Sequence, residues 1–168
     1  MTRAVSRFVT LLVAGTALSV TALAQDAGPM GAKPDDLLDF GPPEPLIVVS
    51  QSGEHEFMVE VADSLEEQAQ GYMWREDIPA GTGMIFELPE PRVATVWMKN
   101  TPSPLDILFV RSNGRILKIE HSAQPYKLRS ASSEAPVAAF VEFAAGTTKD
   151  LGIMPGDLIK HEFFGTAE

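Results

Sequence analysis

The residues with the clearest chemical potential lie between positions 97 and 106, where Asp106 interrupts an otherwise apolar run, Leu105-Asp106-Ile107-Leu108-Phe109-Val110. A carboxylate in such a run needs hydrogen-bond donors, because burying it without partners is costly. The candidate donors are Lys99, Asn100, Thr101, the amides of the proline-containing loop and, from farther away, Arg75. Asp106 is therefore either a general acid or base tuned by Lys99, or a structural carboxylate that holds the loop through backbone N–H groups.

A second candidate site combines aromatic and thioether side chains from two segments, Gly71-Tyr72-Met73-Trp74-Arg75 and Trp97-Met98. We expect Met73, Trp74, Trp97 and Met98 to line an apolar cleft, with Arg75 and Lys99 as anion-binding groups at its rim. The alternative is a hydrophobic lid over one end of the core, with Arg75 in an ion pair. The candidate ligand-binding residues are Met73, Trp74, Arg75, Trp97, Lys99, Asn100, Thr101 and Asp106.

Other catalytic signatures are missing from the sequence. His55, His121 and His161 have no metal-ligand spacing, and the adjacent Glu120-His121 pair is a weak acid–base signal. There is no G-x-S-x-G elbow, dinucleotide fingerprint or P-loop. The chain has no cysteine, which excludes disulfides, thiol catalysis and cysteine-ligated metal. We predict no metal and no cofactor, and the sequence leaves open whether the protein is an enzyme.

The elements that must position these residues are mostly strands. We predict strands over Leu46–Ser50, His55–Ala62, Met84–Leu88, Arg92–Met98, Leu105–Val110, Ile116–Ser122, Val137–Phe143 and Leu158–Phe164. A short helix follows an N-cap at Asp63 or Ser64 and ends at Gly71, and Thr147–Leu151 forms a helical turn. Asn113-Gly114 predicts a tight hairpin. The fold class is α+β and mostly β, a compact antiparallel barrel or sandwich with one or two short helices.

The N-terminus has the pattern of a cleavable signal peptide over residues 1–24. Arg3 and Arg7 precede an apolar stretch that ends in Ala22-Leu23-Ala24. The stretch is short for a membrane span, and without a cysteine the chain cannot be a lipoprotein. We therefore expect a periplasmic or secreted protein with no stable membrane anchor, a flexible linker over 25–45 and a single β-rich domain over 46–166.

The charge balance limits the partners. The formal charge is −10, or about −12 once the signal is removed. Nucleic acids and anionic lipid surfaces bind proteins through Lys and Arg side chains, so we predict no nucleic-acid partner for this acidic chain. The expected partner is a small molecule or an envelope component, and the sequence leaves the oligomeric state open.

Five blocks in order resemble the bacterial and archaeal family known as domain of unknown function 192. They are Gly71-Tyr72-Met73-Trp74-Arg75, Gly83-Met84-Ile85-Phe86, Trp97-Met98-Lys99-Asn100-Thr101, Pro104-Leu105-Asp106-Ile107-Leu108-Phe109 and Gly152-Ile153-Met154-Pro155-Gly156-Asp157. The resemblance covers roughly His55 to Phe164. It implies a compact β-rich domain, often exported, and no established activity, cofactor or substrate.

Three hypotheses follow from the sequence. The first is a non-catalytic binding or envelope-associated module that uses the Trp/Met cleft edged by Lys99 and Arg75. The second is a hydrolase acting on an envelope component, with Asp106 as general acid or base. The third is a structural or protein-interaction domain. The position of Asp106, open to a cleft or sealed by backbone amides, separates the second hypothesis from the other two.

Overall fold

The computed structural model describes residues 33, 35–128 and 131–167. The predicted signal peptide and part of the predicted linker, residues 25–32 and 34, lie outside these residues. The division of the chain into signal, linker and domain therefore stays a prediction.

Seven strands and two short helices make up the described chain. The strands are β1 (Glu44–Ser50), β2 (Gly53–Ala62), β3 (Thr82–Val96), β4 (Leu105–Val110), β5 (Ile116–Ala123), β6 (Ala131–Ala144) and β7 (Leu158–Lys160). The helices are α1 (Leu65–Gln70) and α2 (Thr147–Asp150), and a 3-10 turn follows at Glu162–Phe164.

All seven strands form one curled sheet in the order β5-β4-β6-β3-β2-β1-β7. Neighbouring strands are antiparallel except β2 and β3, which pair in parallel. The two edges approach each other, because Arg115 beside β5 forms an isolated bridge with Leu158 of β7. The mostly β class with two short helices is thus confirmed, and the antiparallel expectation fails at one pair, where α1 connects the two parallel strands.

Apolar side chains cover both faces of the sheet. One face packs Phe86 against Phe140 with ring centroids 4.3 Å apart, and the other packs Phe57 against Phe143 at 4.2 Å. All six residues of β4 are buried because this strand lies inside the sheet with a core on each side. That burial explains why Leu105–Val110 is an unbroken apolar run apart from Asp106.

Three predicted boundaries differ from the structure. The two strands expected on either side of Pro89-Glu90-Pro91 form the single long strand β3, with a register shift between Glu87 and Arg92. The shift accommodates the prolines, which have no N–H to donate to the neighbouring strand. β6 begins at Ala131, before the predicted start at Val137, and the last predicted strand ends at Lys160 and is followed by the 3-10 turn.

The helix α1 begins as the sequence predicts. Ser64 is its N-cap, and its side chain accepts a hydrogen bond from the Glu67 N–H while the Glu67 carboxylate reaches back to the Ser64 N–H. This reciprocal capping box satisfies two otherwise unpaired amides at the helix start. The hydrogen bonds from Ser64 also lower the pKa of Glu67. The helix ends at Gly71, which places Tyr72 and Met73 against the sheet.

Candidate functional site

The two predicted site segments meet in the structure. The N–H of Trp74 donates to the carbonyl oxygen of Asn100 at 2.7 Å, and the Asn100 side chain contacts the Met73 sulfur at 3.8 Å. This link brings the turn after α1 beside the turn after β3. It creates a small cleft of about 80 Å³ between them.

Aromatic, thioether and uncharged polar side chains line this cleft. The aromatic rings belong to Tyr72, Phe86, Trp97 and Phe140. Met73, Gln70, Thr95 and Thr101 also contribute to the lining. Trp97 lies at the mouth, where 52% of its surface is exposed, whereas Tyr72 and Phe86 are buried. The cleft therefore has an apolar interior and an exposed aromatic ring at its entrance.

A single charged residue, Glu142 of β6, contributes to the lining of the cleft. It is only 4% exposed, and it makes no hydrogen bond or ion pair in the described part of the chain. Burial raises the pKa of Glu142 to about 8, so its carboxyl group is mostly protonated at neutral pH. Buried polar groups nearly always have partners, so an unpartnered carboxyl beside an open cleft is a candidate functional group.

Sequence reasoning missed Glu142, although a signal was present. Like Asp106, it stands inside an apolar strand, Val137-Ala138-Ala139-Phe140-Val141-Glu142-Phe143. The same argument about depleted carboxylates in buried strands applies to both residues. Only the tertiary structure shows that one carboxylate is fully bonded and the other is not.

A second unpartnered group lies in the same lining. Gln70, the last residue of α1, accepts a hydrogen bond from the Leu38 N–H through its Oε1 at 3.0 Å. That bond fixes the orientation of the amide and leaves Nε2 buried without an acceptor in the described chain. The cleft therefore contains one buried N–H donor without an acceptor and one carboxyl group that no described protein group bonds.

Arg75 lies outside the cleft. Its guanidinium pairs with Glu60 of β2 at 2.5 Å and lies over the rings of Phe40 and Tyr72, at 5.1 and 5.5 Å from their centroids. This arrangement matches the alternative prediction, in which Arg75 forms an ion pair in a hydrophobic lid. It does not match the prediction that Arg75 binds anions at the rim of the cleft, because the Glu60 carboxylate already compensates the guanidinium charge. Phe40, which falls within the predicted linker, is buried beneath the guanidinium.

Lys99 is exposed, and its Nζ lies 5.4 Å from the centroid of the Trp97 ring. The ammonium thus sits on the aromatic ring at the mouth of the cleft rather than beside Asp106. The predicted pairing of Lys99 with Asp106 does not occur.

Asp106 is completely buried, and its partners differ from those expected. Its Oδ1 accepts from the Ser122 N–H, and its Oδ2 accepts from the amides of Gly146 and Thr148 and from the Thr148 hydroxyl at 2.6 Å. Burial raises the pKa of Asp106, but the hydrogen bonds from Thr148, Ser122 and Gly146 outweigh this and hold the pKa below its ordinary value. With both oxygens bonded, Asp106 joins β4 to β5 and α2. This arrangement does not support a general acid or base at this position.

The structure therefore brings together part of the predicted constellation. Met73, Trp97 and Thr101 line the cleft. The predicted residues that do not line it are Trp74, Arg75, Lys99, Asn100 and Asp106, and the expected fourth cleft residue Met98 is buried in the core. Trp74 and Asn100 contribute through the hydrogen bond that joins their two turns.

A wider, open groove of about 780 Å³ runs along β5 and the start of β6. Its polar lining carries both signs of charge, with Lys118, Glu120 and Glu134 among the residues. Lys118 is already paired with Glu134 at 2.5 Å. His121, from the predicted acid–base pair, contacts the Thr148 hydroxyl through Nδ1 at 3.0 Å. We found no unpartnered buried group among the described residues of this groove.

Two further properties bear on the site. Within residues 33, 35–128 and 131–167, no three His, Asp or Glu side chains group in a way suited to holding a metal ion. In the same part of the chain, none of the helices has the length and apolar character needed to cross a membrane.

The fold and the cleft define a small β-rich domain with a candidate ligand site between the turns after α1 and β3. The chain belongs to the family of domain of unknown function 192, described as "Uncharacterized ACR", whose profile matches residues 47–161. The predicted family resemblance is thus confirmed. No curated protein shows significant similarity to the chain.

Solved structures similar to this chain include two bacterial proteins. A Sinorhizobium meliloti 1021 protein described as a "putative transcription regulator" shares 35% identity and a TM-score of 0.72, with 76% of this chain and 99% of that chain covered. A Novosphingobium aromaticivorans DSM 12444 protein of unknown function shares 39% identity and a TM-score of 0.69, with 71% and 85% covered. Both similarities support the fold, and neither assigns an activity.

Proposed function

We propose that this domain is a small-ligand-binding module whose site is the cleft beside Glu142. The observation that carries the proposal is the unpartnered, 4% exposed carboxyl group in the lining of an open cleft. Keeping such a group without a partner costs stability, and a ligand that bonds to it recovers that cost. This refines the predicted Trp/Met cleft, because Arg75 is paired with Glu60 and a buried acid lies in the lining, while Lys99 stays at the mouth on the Trp97 ring.

The size and lining of the cleft define what enters it. A volume of about 80 Å³ holds a group of a few heavy atoms rather than a whole metabolite. The rest of the ligand then lies outside, against the exposed ring of Trp97. The site therefore recognises one protruding end of a larger molecule.

Anions are poor candidates for this site. The lining contains no cationic side chain, and the Lys99 ammonium lies outside it, on the exposed Trp97 ring. Arg75 is paired with Glu60, and the whole chain carries a formal charge of −10. The same negative charge disfavours nucleic acid as a ligand, because its phosphates are also anionic. We make this argument although one structural neighbour is described as a "putative transcription regulator".

A fragment titration followed by NMR tests the proposed function. Neutral, cationic and anionic fragments are titrated into the ¹⁵N-labelled protein, with the Trp97 indole N–H as reporter. Saturable shifts around Trp97 and Tyr72 support the site. They should change in Glu142→Gln and persist in Glu90→Gln, which alters an exposed carboxylate of the same sheet. A full panel that leaves these resonances unshifted would refute a ligand site here.

We further infer that the protein works outside the cytoplasm, in the periplasm or as a secreted protein. The support is the N-terminal pattern, with Arg3 and Arg7 before an apolar stretch that ends at Ala24. Mass spectrometry of the protein from a cell expressing the full chain tests this. A mature N-terminus at Gln25 in the extracytoplasmic fraction is expected, and an intact Met1 in the cytoplasm would contradict the inference.

A further inference from the structure

The two unsatisfied groups in the cleft are chemically different, and together they define the occupant. Gln70 Nε2 is an N–H donor that lacks an acceptor. Glu142 is a carboxyl group that lacks a protein partner among residues 33, 35–128 and 131–167. A matching ligand presents an acceptor to the first group and an N–H donor to the second.

The apolar part of the lining adds a third requirement. Phe86 and Phe140 stack on each other, and they line the cleft together with Met73. These side chains offer no hydrogen bond, so they suit a methyl group or a short alkyl group. Room for only a few heavy atoms means that the polar and apolar parts of the entering group must be adjacent.

We infer that the occupant is a neutral amide, in the form of an acetamido or carboxamide group at the end of a larger ligand. Its carbonyl oxygen accepts from Gln70 Nε2, its N–H donates to the Glu142 carboxyl, and its methyl or methylene group contacts Phe86, Phe140 and Met73. The inference rests on the proposed function, since it assigns the chemistry of that same cleft.

The charge of the surroundings favours a neutral group over either ion. The titratable and charged groups that face Glu142 are Tyr72, in the turn after α1, and behind it the Glu60–Arg75 pair, with Glu60 on β2. Burial raises the pKa of Tyr72, and the charges of Glu142 and Glu60 raise it further, so its hydroxyl stays neutral. A cation would require Glu142 to ionise and would also face the Gln70 donor. An anion would find no positive charge inside the cleft, since the Lys99 ammonium lies on the Trp97 ring at its mouth.

Three planar isosteres of equal heavy-atom number test the inference without any mutation: acetamide, acetate and acetamidinium. Each is titrated into the full chain to about 0.5 M, because a four-atom probe binds weakly. We expect acetamide to shift the Trp97 indole and Tyr72 resonances saturably, at least tenfold more tightly than either ion. Acetate or acetamidinium binding as tightly as acetamide overturns the inference but leaves the proposed ligand site standing. No response to any of the three overturns the inference, and with the fragment panel also silent it overturns the proposed function.

An isosteric variant tests the assigned donor directly. Gln70→Glu keeps the oxygen that accepts from Leu38 and replaces the unpartnered donor by an acceptor. We expect acetamide affinity to fall at least tenfold and the preference to move toward acetamidinium. Gln51→Glu makes the same change at an exposed position and should leave both affinities unchanged. Unaltered acetamide binding in a folded Gln70→Glu protein contradicts the assignment, and the wild-type isostere series decides the matter if that variant does not fold.

Two natural sources supply such a group, and larger probes distinguish them. N-acetylglucosamine carries an acetamido group on a sugar ring that can stack on Trp97, whereas Nα-acetylglutamine amide carries carboxamides on a peptide unit. Tighter binding of either probe than of acetamide supports the inference and names the source. Glucosamine, which carries an ammonium in place of the acetamido group, must bind more weakly than N-acetylglucosamine. The opposite order overturns the inference.

Discussion

The backbone N–H of Trp74 donates to the carbonyl oxygen of Asn100 at 2.7 Å, and both residues have left-handed backbone conformations, with φ of 62° and 54°. Two turns that are 26 positions apart in the sequence are thereby locked to each other. Met73 directly precedes Trp74, Trp97 lies three residues before Asn100, and both line the same cleft as a consequence. The arrangement explains why the two motifs act together although neither residue of the hydrogen bond lines the cleft.

The left-handed conformation at Asn100 predicts an unusual order of stability for two variants. Asn100→Ala and Asn100→Gly lose the same side-chain contacts, but glycine adopts this backbone conformation without steric cost. We expect Asn100→Gly to be more stable than Asn100→Ala by about 1 kcal/mol. Urea denaturation measures the difference. Equal stabilities, or a more stable alanine variant, would show that the turn relaxes.

The raised pKa of Glu142 predicts how stability depends on pH. Its pKa is about 8 in the folded protein and near the ordinary value in the unfolded chain, so unfolding releases a proton between these values. The contribution of Glu142 to the free energy of unfolding is fully present below its pKa in the unfolded chain. It is lost as the pH rises above that pKa, by about 1.4 kcal/mol per pH unit until pH 8. We expect Glu142→Gln, which stays neutral, to gain thermal stability relative to wild type from pH 5 to pH 8.

Thermal unfolding at a series of pH values checks this prediction. Glu90→Gln removes an exposed carboxylate from the same sheet and should follow the wild-type curve. If the Glu142→Gln and wild-type curves run parallel across the window, the carboxyl group is not held neutral by burial.

The hydrogen bonds to Asp106 predict the opposite pH behaviour. Because the pKa of Asp106 is lowered, its carboxylate stabilises the folded protein at pH values above the ordinary aspartate pKa. This stabilisation is lost as the pH falls through the lowered pKa. Asp106→Asn should cost about 3 kcal/mol at pH 7, because an amide cannot replace a buried carboxylate that accepts four hydrogen bonds. The Asp106→Asn variant should also lose less stability than the wild type as the pH falls, because its amide does not titrate.

The matched control for Asp106 is Asp150→Asn, an exposed aspartate on α2. We expect it to change stability little, since exposed charges contribute less than 1 kcal/mol as a rule. Circular dichroism melts at pH 7 and pH 3 make the comparison. A folded Asp106→Asn protein with wild-type stability would argue against a structural role for this carboxylate.

Gly83 lies opposite Phe143 in the β3–β6 pair and predicts a steric effect next to the cleft. A Cβ atom there would lie 2.6 Å from two Phe143 ring carbons and 2.9 Å from the Glu142 carbonyl oxygen. The ring is stacked on Phe57 and has little freedom to move. Gly83→Ala should therefore cost about 2 kcal/mol.

Gly81→Ala separates this effect from backbone strain. No atom lies within 4 Å of a Cβ at Gly81, but its φ of +77° is unfavourable for alanine. We expect a cost of about 1 kcal/mol there. Chemical denaturation of both variants gives the comparison, and a Gly83→Ala protein no less stable than Gly81→Ala would mean that the two strands separate without penalty.

Local patterns were sufficient for much of the fold. The sequence predicts β4 with its observed bounds, the capping box at the start of α1 and the hairpin turn at Asn113-Gly114, because each depends on neighbouring residues. Register and strand continuity across Pro89 and Pro91 depend on the partner strand, so the single long β3 was not predictable. The parallel pairing of β2 with β3 likewise depends on how α1 crosses the sheet.

Residue types by themselves determined that this is an acidic, cysteine-free, β-rich domain of a recognisable family, with Met73, Trp97 and Thr101 near a site. Only the tertiary structure decided between two carboxylates in similar apolar strands. Asp106 lies where the Ser122, Gly146 and Thr148 amides converge from distant elements, whereas Glu142 faces rings and an open cleft. The physical reason is that the local sequence shows which carboxylates will be buried and need hydrogen-bond donors. The donors themselves come from distant parts of the chain, and only the fold brings them to the carboxylate.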